Sequence, residues 1–153
     1  MSGASHTAFW PIAALMLVAG IGIPIMATLN AGVGQQLHSP VAASVTLFIA
    51  ALALSALCLL ATGVPTMSQF AAVPAWRYLG AALVVFYILS ITWAGPRIGI
   101  GNAVFFVLLG QLIATAAIDH FGLWGAPVTP LSVKRALGIA VMAAGVWLAK
   151  KPL

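Results

Sequence analysis

Residues 9–29 read FWPIAALMLVAGIGIPIMATL, an apolar run without a single charged side chain. About 20 such residues cross the hydrocarbon of a bilayer as an α-helix. Four further runs are mostly apolar, over residues 41–61, 76–94, 98–118 and 133–150, with charged residues only near the ends of the second and the fourth. They are continuous, rich in Ala and Leu, and lack the period-2 alternation of strands, so helices are predicted rather than a barrel. The expected fold is an all-α membrane protein, a single domain over residues 1–153 with five transmembrane helices.

Composition agrees. Of 153 residues, 63% are hydrophobic and 5% charged, whereas soluble domains carry about a quarter charged residues. That leaves too little polar surface to cover a water-facing globule, and the lipid bilayer is the expected main partner. The net charge of +5 comes from basic residues at the ends of the apolar runs, not on one face. That placement suits membrane anchors and speaks against a nucleic-acid partner. Met1 to Thr7 has no basic residue and the run behind it is of full span length, so it is expected to remain a span rather than be cleaved as a signal. Cys58 lies inside an apolar run and is expected to be a small buried hydrophobe.

Turn chemistry separates the runs. Asn30, Gly32 and Gly34 are expected to end the first helix, with Asn30 as a C-cap. Ser39-Pro40 reads as a cap followed by proline at the first helical position. Gly63 and Pro65 stop the second helix, and Gly95-Pro96 is expected to make a tight hairpin between the third and fourth. Trp10, Trp76 and Trp124 fall on one side of the predicted topology, Trp93 and Trp147 on the other, as in an interfacial belt. The last run is short, but Lys134, Arg135, Lys150 and Lys151 flank it and can snorkel outward, so it is read as a span.

With an odd number of spans, the chain ends lie on opposite sides. Arg77, Lys134 and Arg135 then share one side, and Arg97, Lys150 and Lys151 the other. Lys/Arg bias sets orientation, so three against three gives no preferred direction. Insertion both ways, followed by antiparallel pairing, is the favoured outcome; the alternative is a fixed orientation set by the N-terminus, which carries no basic residue, or by a partner. Two such copies make an inverted repeat, the plan of many secondary transporters.

A few residues depart from plain apolar helix. Pro24, with Gly20 and Gly22, lies mid-span in the first helix; it removes a backbone hydrogen bond and predicts a kink, either for packing or as a broken helix at a substrate site. Asn102, Gln111 and Thr115 lie inside the fourth run. Gln111 is deep, so its amide either ties helices together or faces a polar path. Asn30, Tyr87 and Trp93 complete the candidate pathway residues. Asp119, the only acidic residue, neighbours His120 and has Arg77, Lys134 and Arg135 on its side. An ion pair or gate is favoured over proton coupling, because antiparallel copies would place the two Asp119 residues at opposite faces. Catalytic motifs are missing: there is no H-E-x-x-H, G-x-S-x-G or phosphate loop, and the three histidines are scattered. No enzyme, cofactor or metal site is predicted.

The stretches Gly22-Ile-Pro24 through Asn30-Ala-Gly-Val-Gly34, Ser39-Pro40, Pro96-Arg-Ile-Gly99, Gly110-Gln111 and Asp119-His120-Phe121-Gly122 together resemble the YdcZ-type family of small bacterial inner-membrane proteins, in the drug/metabolite transporter (EamA-like) superfamily. The resemblance spans nearly the whole chain. It implies a multi-pass inner-membrane protein of five helices that works as a dual-topology homodimer, as a pair of opposite-facing homologues or as a fused ten-helix form. The expected function is a secondary transporter, an exporter of a small organic solute working by alternating access. A dual-topology channel for a small ion, and an accessory subunit paired with a homologue, are the alternatives.

Overall fold

In a computed structural model, residues 3–149 are described, with side-chain surroundings from Phe9 onward. The elements are α1 (Gly3–Gln36), α2 (Pro40–Thr62), a short α3 (Met67–Ala71), a 3-10 turn (Ala75–Leu79), α4 (Gly80–Ile98), α5 (Ile100–Phe121), a second 3-10 turn (Leu123–Gly125) and α6 (Val133–Ala149). Among the described residues there is no strand. Four stretches are long and apolar enough to cross a membrane: Phe9–Gln36, Pro40–Thr62, Ala75–Ile98 and Ile100–Phe121. The 17 residues of α6 reach about 26 Å at 1.5 Å per residue, slightly less than a hydrocarbon core of roughly 30 Å. Lys150 and Lys151, the expected anchors at its end, lie outside the described residues.

Two helix boundaries fall where their chemistry puts them. The Ser39 hydroxyl accepts the Ala42 N–H at 3.1 Å and Pro40 takes the first helical position of α2. Gly63, at φ 100°, closes α2 with its N–H on the Leu59 carbonyl at 2.9 Å.

Others differ from expectation. The Asn30–Gly34 segment does not end α1, which continues to Gln36, and Asn30 is an interior residue rather than a cap. Nor is α1 broken at Pro24, which lies inside the helix with the Thr28 hydroxyl donating to its carbonyl at 2.8 Å. In hydrocarbon a backbone that leaves the helix finds no water, so helices persist across Pro and Gly that would end them in solution. For the same reason Gly95-Pro96 is not a hairpin: α4 runs through both to Ile98, and the break is Gly99, at φ 85°, a conformation that glycine adopts without strain. The unexpected α3 starts from a capping box, with the Gln69 carbonyl accepting the Thr66 N–H at 2.8 Å. Cys58 is exposed, not buried.

The chain forms two compact units that divide between Arg97 and Ile98. In the first, α1 packs on α2; in the second, α5 packs on α6 and on the turn that follows it. Burial is inverted relative to a soluble protein. Leu, Val, Phe and Trp side chains point outward along every long helix. The buried positions are mostly small or polar: Ala27, Asn30, Ala31, Ala43, Ser44, Thr92, Asn102, Ala103 and Ala116, with Ile88 and Ile91 the largest. Lipid tails solvate large apolar side chains as well as a core would, so helices associate through small residues and hydrogen bonds.

Candidate functional site

The buried polar groups of the first unit converge where α1 ends, α2 begins and α4 approaches its C-terminus. Ala27, Asn30, Ala31 and Gly34 form one buried face of α1, spaced as i, i+3, i+4 and i+7. Ile88, Ile91, Thr92 and Gly95 are the buried residues of α4, with the same spacing. The Asn30 amide donates to the Thr92 hydroxyl at 2.7 Å, and that hydroxyl donates to the Ile88 carbonyl at 2.7 Å. Asn30 is 5% and Thr92 2% exposed, so this relay is closed to solvent and ties α1 to α4. Gly34 leaves room for this contact. A Cβ there would meet the Thr92 methyl at 3.2 Å and both Ala43 Cβ and Pro40 Cα at 3.6 Å.

Beside this tie opens a cleft of about 480 Å³, lined by Ala31, Gly34, Gln35, His38, Pro40, Thr92, Pro96 and Arg97. Its polar groups are the Gln35 amide, the His38 ring and the Arg97 guanidinium. The guanidinium stacks over the Trp93 ring, 4.2 Å from its centroid, and donates to the Trp93 carbonyl. One helical turn before Ile91, the Tyr87 hydroxyl is buried with no hydrogen-bond partner among the described residues. Buried polar atoms are almost always bonded, so this hydroxyl is free to take a water or a solute group.

The second unit contains a different construction at the C-terminus of α5. Arg135 Nη2 lies 2.6 Å from Asp119 Oδ2, with side chains 34% and 36% exposed. The Asp119 carbonyl accepts the Thr129 N–H at 2.7 Å, and His120 Nδ1 accepts the Leu131 N–H at 3.0 Å. Gly122, left-handed at φ 61°, closes α5 with its N–H on the Ile118 carbonyl. A Cβ on Gly122 would fall 2.6 Å from Val128 Cγ2, so glycine is required twice, for its angle and for its size. The Asp119–Gly122 block thus fastens the following loop and α6 back onto the end of α5.

The expected pathway residues do not form one group. Asn30, Tyr87 and Trp93 belong to the first unit. Pro24 is half-buried one helical turn before Ala27 and Thr28. Asn102 is buried in the second unit, donates to the Ile98 carbonyl at 2.9 Å and lines a 420 Å³ cavity with Phe105 and Ala149. Gln111 and Thr115 are exposed; Thr115 donates to the Leu112 carbonyl at 3.1 Å, while Gln111 makes no hydrogen bond among the described residues. Moving an unpaired amide from water to hydrocarbon costs about 4–8 kcal/mol. Of the expected cations, Arg135 meets Asp119, Lys134 is exposed, and Arg77 lies against the Trp76 ring, 5.4 Å from its centroid.

Sequence reasoning did not pick out Thr92, Gly34, His38, Gln35 or Arg97 as parts of a shared site. The available signal was Thr92 itself, a hydroxyl in an apolar run one turn past Ile88. Among the described residues, no three His, Cys, Asp or Glu side chains are placed to hold a metal.

Residues 11–148 match the family model described as "Putative inner membrane exporter, YdcZ". No curated protein matches the chain, and no solved structure does.

Proposed function

The chain belongs to the YdcZ family of inner-membrane exporters, and from that premise we propose that it exports a small organic solute by alternating access between two oppositely inserted copies. Each copy contributes five spans, the fifth being α6, a run flanked in the sequence by basic residues at both ends, a placement that suits snorkelling. The description of the family as an exporter supports a transporter reading over an enzyme.

The observation that carries this reading is the 480 Å³ cleft in the first unit. It gathers the exposed Gln35, His38 and Arg97 beside the buried Asn30–Thr92 tie of an otherwise apolar unit. Gln35, His38 and Arg97 offer donors at its rim, and the Tyr87 hydroxyl, without a partner among the described residues, lies earlier in α4. A solute with acceptor oxygens would find partners there and be shielded from lipid. The tie of three Lys/Arg residues against three supports insertion in both directions. An inverted pair would then present one such cleft to each side of the membrane.

The test is transport by the protein reconstituted in liposomes, offered a mixture of small metabolites and read by mass spectrometry of the retained compounds. The expected result is saturable, gradient-driven accumulation of one chemical class, lost when Gln35→Leu and His38→Leu are combined. Steady conductance in planar bilayers without saturable uptake would instead identify an ion channel. Transport seen only on co-expression with a homologue would identify an accessory subunit.

A further inference from the structure

We propose that Gln111 marks the face of α5 on which a second, oppositely inserted copy of this chain docks, with the two Gln111 amides bonded to each other at the bilayer midplane. This rests on the inverted pair of the preceding section and assigns its contact surface.

Gln111 is the amide nearest mid-span among the described long helices. Thr28, Ser44, Ser55, Thr115 and Asn102 each donate to a carbonyl of their own helix or its flank. Short side chains can turn back in this way. Gln111 is exposed and bonds to nothing among the described residues. Its primary amide carries both a donor and an acceptor, so two of them facing each other form a reciprocal pair of hydrogen bonds.

Depth selects the partner. Gln111 is eleven residues after Ile100 and ten before Phe121, the two ends of α5. At 1.5 Å per residue it lies roughly 1 Å from the middle of the helix. A two-fold axis in the membrane plane exchanges the two faces of the bilayer, so only a residue at mid-depth can meet its own copy. Residues seven before and seven after lie on the same helical face. Under that axis Val104 of one copy meets Ile118 of the other. Gly110 and Ala114 beside Gln111 are small and exposed, and a Cβ on Gly110 would find nothing within 4 Å. The helices can therefore approach closely enough for the amides to meet.

The experiment is disulfide trapping in native inner-membrane vesicles, in a Cys58→Ala background. Gln111→Cys is expected to give a covalent dimer. Val104→Cys and Ile118→Cys are each expected to give none alone, and a mixed dimer when co-expressed with different tags. Disulfides need Cα atoms within about 7 Å, so linkage reports contact. If Val104→Cys and Ile118→Cys each link to themselves, the copies are parallel and the proposal fails. If no position links, this face of α5 is not the contact and the proposal fails too. A reporter at the C-terminus, appearing in both compartments in that case, would leave the inverted pair standing with a different interface; a one-sided signal would remove the pair as well. Should Gln111→Cys fail to fold, the Val104 and Ile118 pair carries the same readout.

Discussion

The end of α1 and the end of α5 are both fastened to neighbouring chain, by opposite means. At α1 the contact is neutral and closed: Asn30 on Thr92, Gly34 against Thr92, Ala43 and Pro40. At α5 it is charged and half open, with Arg135 on Asp119, His120 on a loop amide and Gly122 turning the backbone. The difference follows the local solvent. Where the helices bury the contact, an ion pair would be costly to desolvate, and small residues with neutral hydrogen bonds suffice. Where a loop leaves the helix end, water reaches the ionic groups and an ion pair is tolerated.

If this contrast is right, size should matter most at the first contact. Gly34→Leu places a branched side chain where a single Cβ already meets Thr92 at 3.2 Å. Overpacking of this kind costs about 3 kcal/mol or more. The expected result is a large drop in the unfolding midpoint in detergent, together with loss of transport, because the cleft shares this wall. Gly34→Ala should be much milder, since the Thr92 methyl need yield only a few tenths of an ångström. Equal effects from both variants would mean that the helices are not packed this closely.

The second-largest effect is expected at the other contact. Gly122→Ala must hold a left-handed angle, costing about 1–2 kcal/mol, and its Cβ would overlap the Val128 side chain at 2.6 Å. Adding Val128→Ala should recover the steric part and leave the angular part. Unfolding midpoints of the single and double variants separate the two. Complete recovery would show that the angle carries no strain.

Asn30→Ala tests the neutral tie. Hydrogen bonds between membrane helices are worth about 0.6 kcal/mol on average and rarely beyond 1.7, and Thr92 keeps its own bond to Ile88. A loss of about 1 kcal/mol is expected, non-additive with Thr92→Val in a double-mutant cycle. Additivity would mean that the two side chains act independently.

These contacts also explain what could be read in advance. Apolar runs fixed the helices because hydrocarbon demands length and hydrophobicity, and both are visible residue by residue. Ser39-Pro40 and Gly63 were legible because a cap and a stop are local chemistry. Asn30, Gly34 and Pro96 misled because they obey turn rules derived in water. Here Asn30 reaches across to Thr92, 62 positions away in the chain, and Gly34 supplies space rather than a turn. Thr92 shows in the sequence only as a hydroxyl in an apolar run, and its partner Asn30 lies too far away in the chain to be read from it. The Thr66 and Gln69 capping box, by contrast, was present in the sequence as Thr-x-x-Gln and would have located α3.

The smallest stability effect is expected at Asp119, and it can be separated from a larger effect on insertion. Both partners of the Arg135 pair are about one-third exposed, where such pairs contribute roughly 0–1 kcal/mol and fade with salt. Asp119→Asn should therefore lower the unfolding midpoint slightly at low ionic strength and not at high. In the five-span topology proposed above, Arg135→Gln removes the same pair but also one of the three basic residues on its side. Acidic residues contribute little to orientation and basic ones set it. The two variants should match in stability and part in topology: a C-terminal reporter should stay two-sided in Asp119→Asn and become biased in Arg135→Gln. The bias should move the C-terminus, which shares its side with the now more numerous Arg97, Lys150 and Lys151, toward the cytoplasm. A reporter that shifts equally in both variants would assign the orientation to the folded ion pair rather than to the count of basic residues.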